Sequence, residues 1–198
     1  MTKIWIDCDE VISETIDEIL KRWIFKDKNI SKSDITSYFL RDIPKLNMTK
    51  EDWVKEFFWF FGSDDYFQTK PVSWALEKLK ELKDQWYELY VVTARSEQFK
   101  ERTIKRVNEN FEWIFSWFLF MNQFKENEVP KSKLCKDFWI KLLIDDSVNN
   151  ILDINKEWIP WILLDKPWNA WIEDNKLIKR CKSRDDVDVS YFLNKAPL

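Results

Sequence analysis

Two kinds of apolar pattern alternate along the chain. Short apolar runs at Ile4-Trp5-Ile6, residues 87–92, Phe118-Leu119-Phe120, residues 141–144 and Ile162-Leu163-Leu164 have the length and the branched and aromatic bias of strands. Between them, apolar residues recur at helical spacing. Ile16, Ile19, Leu20 and Trp23 mark residues 14–23, and Val72, Ala75, Leu76, Leu79 and Leu82 follow Pro71. Further helices are expected over residues 97–110, 132–138 and 147–155. Repeated strand-helix alternation with near-continuous apolar strands predicts a parallel sheet covered on both faces, with its ligand crevice outside the carboxyl ends of the strands. Residues 24–70 interrupt the alternation with many Phe, Tyr, Lys and Asp and a dense aromatic cluster over 52–61, and read as a small helical insertion. Phe57, Phe58, Trp59, Phe60 and Phe61 fit the core of that insertion better than a stacking platform. A terminal strand and helix are expected around the acidic segment 184–189.

The polar residues fall where the crevice is expected. Asp7 and Asp9 follow the first strand, Thr93 ends another, and Asp145 with Asp146 ends a third. Composition narrows what they can do. The chain has 198 residues, no histidine and a net charge of −3, which fits one core with an insertion. Without histidine there is no Cys/His zinc cluster and no imidazole base, and Cys8, Cys135 and Cys181 are too scattered for a disulfide framework. No apolar run is long enough for a bilayer span, and acidic residues interrupt the first ten positions, so neither a membrane protein nor a secretory leader is expected and the chain reads as cytoplasmic. Interleaved Lys and Glu without a basic block argue against a nucleic acid polymer as partner. Carboxylates, lysine, hydroxyls and a hard metal ion remain.

Carboxylates from two strand ends suit Mg²⁺, and Asp7, Asp9 and Asp145 are the expected ligands. In such a site a carboxylate can also attack phosphorus, forming an aspartyl-phosphate that water hydrolyses, while a second carboxylate two residues on protonates the leaving oxygen. The phosphoryl charge calls for donors, which the Thr93 hydroxyl and the Lys131 ammonium supply. Lys133 competes with Lys131 for the cation role, and Asp145-Asp146 can alternatively cap the helix expected at Ser147.

Asp7-Cys8-Asp9-Glu10-Val11, Val91-Val92-Thr93-Ala94-Arg95, Lys131-Ser132 and Ile144-Asp145-Asp146-Ser147, in this order, resemble the four motifs of the haloacid dehalogenase superfamily. Together with Lys166-Pro167-Trp168-Asn169 they are most similar to its 5′(3′)-deoxyribonucleotidase-like (deoxy 5′-nucleotidase, cytosolic type C) family, over roughly residues 3–170 and most weakly in 24–70. The resemblance implies a Rossmann-like α/β core of residues 1–13 and 71–198 with a helical cap of residues 14–70 inserted after the first strand. It further implies Asp7 as nucleophile, Asp9 as general acid and base, Thr93 and Lys131 as phosphate ligands, and Mg²⁺ held by Asp7, Asp145 and the Asp9 carbonyl with Asp146 in support. It points to a small phosphomonoester, a nucleotide, as substrate. The match to the family's motif spacing favours Lys131 over Lys133; Arg95 is read as a phosphate helper or a solvent-facing side chain. Two other readings stand beside this one: a phosphatase for another small metabolite such as a sugar phosphate, and a non-catalytic binding protein on the same fold.

One feature of the composition is abnormal. A single glycine, Gly62, stands beside 13 tryptophans, where glycine is ordinarily roughly 7% of a globular chain. Trp23, Trp86, Trp139 and Trp158 lie just past expected helix ends, in the slot that favours left-handed glycine. Trp74, Trp113, Trp117, Trp161 and Trp171 lie at turns or element edges, and Trp5 precedes the first motif where the family has a small residue. Glycine at these ten positions restores ordinary frequencies of both residue types. The expectation is a source that reads UGA as glycine.

Overall fold

A computed structural model of the protein describes residues 1–22, 25, 27–148, 154 and 156–193. Its strands β1 Lys3–Ile6, β2 Glu88–Thr93, β3 Trp117–Phe120, β4 Leu142–Asp145, β5 Trp161–Leu164 and β6 Ile178–Cys181 form one sheet in the order β3-β2-β1-β4-β5-β6. Every pairing is parallel. The α-helices are α1 Thr15–Ile19, α2 Lys50–Gly62, α3 Ala75–Asp84, α4 Lys100–Phe111, α5 Lys131–Asp137 and α6 Ser190–Leu193. None among the described residues is long and apolar enough to cross a membrane.

The strand pleat sends alternate side chains to opposite faces. Ile4, Ile6, Leu89, Val91, Leu142, Ile144 and Ile162 pack against Leu79 and Leu82 of α3 and Val107 and Phe111 of α4. Trp5, Tyr90, Val92, Leu143, Trp161 and Leu163 meet Cys135 of α5 and Ile154 on the other face. Because both faces are covered, the central strands read as continuous apolar runs. Cys8, Cys135 and Cys181 are buried and form no disulfide.

Chain order and sheet order diverge at one place. From β1 the sheet grows outward through β2 to β3, and the chain then returns to place β4 on the other side of β1. The switch point is therefore between β1 and β4. Ile6 lies opposite Ile144, and the Asp7 amide donates to the Ile144 carbonyl at 2.9 Å. That register brings Asp7 out of the sheet beside Asp145.

Residues 14–70 carry an apolar cluster of their own, in which Ile19, Phe25, Ile35, Leu40, Trp53, Phe60, Phe61 and Tyr66 meet Phe99 and Trp168 from the sheet side. α2 starts at a capping box: the Asp52 amide donates to Thr49 Oγ1 at 3.1 Å, and the Thr49 amide donates to Asp52 Oδ2 at 3.1 Å. The rest of the segment is mostly single 3-10 turns, so it holds less α-helix than its composition suggests. The helix expected from Pro71 begins instead at Ala75, because Pro71 bridges to Ser13 and the Val72 amide donates to the Ile12 carbonyl at 3.0 Å. The helix expected over 14–23 is confined to Thr15–Ile19 with a tight turn after it, and that expected over 97–110 opens as a 3-10 turn at Glu97–Phe99. Most of the helix expected over 147–155, and Trp23, lie outside the described residues.

The tryptophans divide sharply. Trp86, Trp113, Trp139 and Trp158 have φ of 65°, 62°, 54° and 57°. After α3 the Trp86 amide donates to the Lys83 carbonyl at 3.0 Å and the Tyr87 amide to the Leu82 carbonyl at 3.2 Å. After α5 the Trp139 amide donates to Lys136 at 3.1 Å and the Ile140 amide to Cys135 at 2.9 Å. Both are Schellman closures with tryptophan in the left-handed slot. Trp74, Trp117, Trp161 and Trp171 do not share this conformation, and Trp5 and Trp161 are fully buried in strands. A side chain in the left-handed region costs roughly 1–2 kcal/mol, partly offset by the extra unfolded-state entropy of glycine. Trp86→Gly and Trp139→Gly are therefore expected to stabilise the protein by up to about 1 kcal/mol each in urea titrations. Trp168→Gly, at a buried side chain, should destabilise it in the same assay.

Candidate active site

The switch point places three acids together. Asp7 follows β1, Asp145 ends β4 and Asp146 follows it, and one carboxylate oxygen from each lies within 4.8 Å of the others, all three buried. Lys131, the first residue of α5, reaches into this cluster: its Nζ donates to Asp7 Oδ1 at 3.0 Å and to Asp145 Oδ2 at 2.5 Å. Lys133 instead pairs with Asp137 on the surface. Asp145 Oδ1 accepts from the Ser147 amide at 2.8 Å. Asp146 is held from the far side, where Trp168 Nε1 donates to its Oδ2 at 3.1 Å and Asn169 Nδ2 donates to its carbonyl at 2.9 Å. Thr93 ends β2, the other neighbour of β1, and is fully buried.

The Asp9 carboxylate stands apart from this cluster. Arg95 Nε donates to Asp9 Oδ2 at 3.1 Å and Nη2 to Oδ1 at 2.6 Å, and Thr15 Oγ1 donates to Oδ1 at 2.5 Å. Of the expected ligands Asp7, Asp9 and Asp145, the structure thus joins the carboxylates of Asp7 and Asp145 to that of Asp146; the contact expected of Asp9 is through its backbone carbonyl.

Electrostatics follow from this crowding. Burial raises the Asp7 carboxyl to about 7; Lys131 opposes the rise, and Asp145 and Asp9 add to it. Burial, then Asp145 and Asp7, hold Asp146 well above the usual carboxylate range. Burial works against the charges of Lys131 and Arg95, but their acidic neighbours outweigh it, and both stay above their ordinary values. Three buried carboxylates, two of them bridged by the Lys131 ammonium, form a hard-oxygen donor set short of positive charge, which fits a divalent cation of the Mg²⁺ type.

Several site residues are invisible to periodicity and motif spacing. Tyr38 from the 14–70 segment is half-buried against the apolar cluster, and desolvation holds its hydroxyl above the ordinary tyrosine value, with Lys131 opposing the rise and Asp7 adding to it. Glu10 sits at φ 60° with its side chain buried; its Oε1 accepts from the Ile16 amide at 2.7 Å, and its Oε2 has no hydrogen-bond partner, with Lys32 Nζ 3.4 Å away. Glu10, Asp9 and Asp146 line a cavity of about 70 Å³, which is otherwise walled largely by Tyr38, Phe39, Trp53, Phe57, Phe124 and Trp168, with Gln123 as a neutral polar group. Arg95, read from sequence as a phosphate helper or a solvent-facing residue, is fully buried.

Solved structures share this architecture. A haloacid dehalogenase-like hydrolase from Streptococcus pneumoniae superposes with a TM-score of 0.62 at 13% identity, covering 83% of this chain and 85% of its own. A HAD-superfamily hydrolase from Geobacter sulfurreducens superposes with a TM-score of 0.60 at 16% identity, covering 94% of each chain. A predicted phosphatase from Clostridium acetobutylicum gives 0.61 at 15% identity over 82% of this chain and 84% of its own. The fold is that of the haloacid dehalogenase-like hydrolases. No curated protein matches the sequence. The family model described as 5′ nucleotidase, deoxy (pyrimidine), cytosolic type C protein matches residues 1–192, and the chain belongs to that family.

The raised Asp7 carboxyl has a measurable consequence. A carboxyl with a folded-state value of about 7, against 3.8 when unfolded, binds more protons folded than unfolded between those limits, so stability is lost as pH rises through that window. Chelator-treated protein should show a melting midpoint that falls between about pH 4 and about pH 7, with Mg²⁺ reducing the fall; a flat profile in chelator contradicts the electrostatics described.

Proposed function

We propose that the chain is a Mg²⁺-dependent phosphomonoesterase that removes phosphate from nucleoside monophosphates. The observation that carries this reading is the Asp7, Asp145, Asp146 and Lys131 constellation at the switch point of a chain from the deoxy 5′-nucleotidase family. Asp7, Asp145, Asp146 and the Asp9 carbonyl would hold the ion, which when bound supplies positive charge to the phosphoryl oxygens.

An Asp7 oxygen attacks phosphorus in line, the bond from phosphorus to the ester oxygen breaks, and Asp9 gives its proton to that oxygen, releasing the alcohol. Asp9 then takes a proton from water as the water oxygen attacks the aspartyl-phosphate, and inorganic phosphate leaves with Asp7 restored. The Lys131 ammonium and the Thr93 hydroxyl bind the phosphoryl oxygens through both steps. Residues 14–70 act as the cap over this site. The aromatic walls of the adjoining cavity suit the flat face of a base better than the hydroxyls of a sugar.

The test is phosphate release from ribo- and deoxyribonucleoside monophosphates and sugar phosphates with Mg²⁺ and with chelator. Release is expected from nucleotides, to be lost with chelator, and to fall on the order of 10³-fold or more in Asp7→Asn. Release confined to sugar phosphates overturns the substrate class, and no release by folded, Mg²⁺-loaded protein overturns the reaction.

A further inference from the structure

Arg95 is a fully buried cation that touches none of the Asp7, Asp145 and Asp146 carboxylates, and the mechanism above leaves it without a task. Four of its five donors are committed in a particular way. Nε and Nη2 form a fork on the two oxygens of Asp9, at 3.1 and 2.6 Å, while Nη1 donates to Tyr66 Oη at 2.7 Å and Thr103 Oγ1 at 3.2 Å. The guanidinium plane is covered by Phe61, whose ring centre is 4.2 Å away, and by Tyr66 at 4.8 Å. A planar fork held on three sides has one orientation, and it transmits that orientation to the carboxylate it grips. Phe61 and Tyr66 belong to the 14–70 segment and Thr103 to α4, so the fork is set jointly by the segment and the sheet domain.

We infer that Arg95 is a positioning residue: it fixes the Asp9 carboxyl for proton transfer to the leaving oxygen and pairs with the carboxylate left once the proton has gone, and through Phe61 and Tyr66 it ties that group to the cap. This rests on the phosphomonoesterase reading. It predicts a dependence on the leaving group. An alkyl ester expels a strongly basic oxygen that needs the proton of Asp9, whereas p-nitrophenyl phosphate expels a weakly basic one that does not.

The experiment compares kcat/KM, which reports the steps up to phosphoryl transfer to Asp7, for p-nitrophenyl phosphate and for the best nucleotide substrate in wild type, Arg95→Lys and Tyr66→Phe. Arg95→Lys is expected to lose roughly 10²-fold or more on the alkyl ester and under about tenfold on the aryl ester. Tyr66→Phe keeps the ion pair and should show a smaller loss with the same selectivity. Equal losses on both substrates in Arg95→Lys, or no selective loss in Tyr66→Phe where Arg95→Lys does not fold, overturn the positioning role. Wild type that turns over neither ester overturns the phosphatase reading itself, and the inference with it.

A separate observation carries a second inference. Trp86, Trp113, Trp139 and Trp158 combine left-handed backbone with side chains that are 78%, 77%, 73% and 67% exposed. Strain at such a position is ordinarily repaid by packing, and these side chains bury too little to repay it. Two of the four close Schellman motifs, whose geometry selects the residue lacking a Cβ. Trp5 adds a buried Nε1 without a hydrogen-bond partner. The geometry points to glycine at residues 86, 113, 139 and 158 of the protein made in its source, through a UGA codon read there as glycine. Peptide mass spectrometry of the protein isolated from its natural host decides the matter. Glycine at all four positions is the expected result; tryptophan at any of them overturns the codon-wide reading.

Discussion

Three carboxylates share a pocket of low water content at the switch point of the sheet, and the charge this concentrates governs much of the molecule's organisation. Like charges so close are tolerable only if some are neutralised, and the protein supplies neutralisation in three forms. Lys131 bridges Asp7 and Asp145, burial keeps Asp7 and Asp146 prone to protonation, and the donor set accommodates a divalent ion. Each answer depends on the backbone. The β1–β4 register aligns Asp7 with Asp145, the start of α5 delivers Lys131, and the turn after β5 brings Trp168 and Asn169 behind Asp146.

A second charge pair, the buried Arg95 with the partly exposed Asp9, is built on different terms. Lys131 faces acids from two strands as a compact point charge that can be shared with an incoming anion. Arg95 is bound through a fork while its Nη1 donates to Tyr66 and Thr103 and its plane is covered by Phe61, so it suits holding a geometry more than binding a phosphate. In the proposed reaction this division would separate phosphate binding from proton transfer, and would place the second under the influence of the 14–70 segment.

The 14–70 segment therefore does more than wall the cavity. Its apolar cluster incorporates Phe99 and Trp168 from the sheet side, and Trp168 is also the side chain that bonds Asp146. Packing of the segment and polarity of the site meet in single residues. Outward motion of the segment would disturb the contacts of Phe61 and Tyr66 with Arg95 and of the apolar cluster with Trp168.

Periodicity and strand-end chemistry were enough to assign the first five strands and the parallel sheet, because burial on both faces and turn chemistry are written locally, while the four motifs came from the family resemblance and β6 at Ile178–Cys181 was not located. The left-handed tryptophans were legible for the same reason, since a helix end is a local event. Helix starts were less so: the pattern after Pro71 looks helical, yet a long-range bridge to Ser13 keeps those residues out of the helix. Lys131 and Asp7 are 124 residues apart, and Arg95 and Asp9 are 86 apart. A motif can nominate both members of such a pair, but their contact depends on strand order and register. Sequence alone determined which residue types were available for chemistry, with no imidazole among them, and where along the chain they stood. Only the tertiary structure decided that Asp146 joins Asp7 and Asp145 while the Asp9 carboxylate turns to Arg95, because those partnerships arise where separate segments pack together and no local pattern records them.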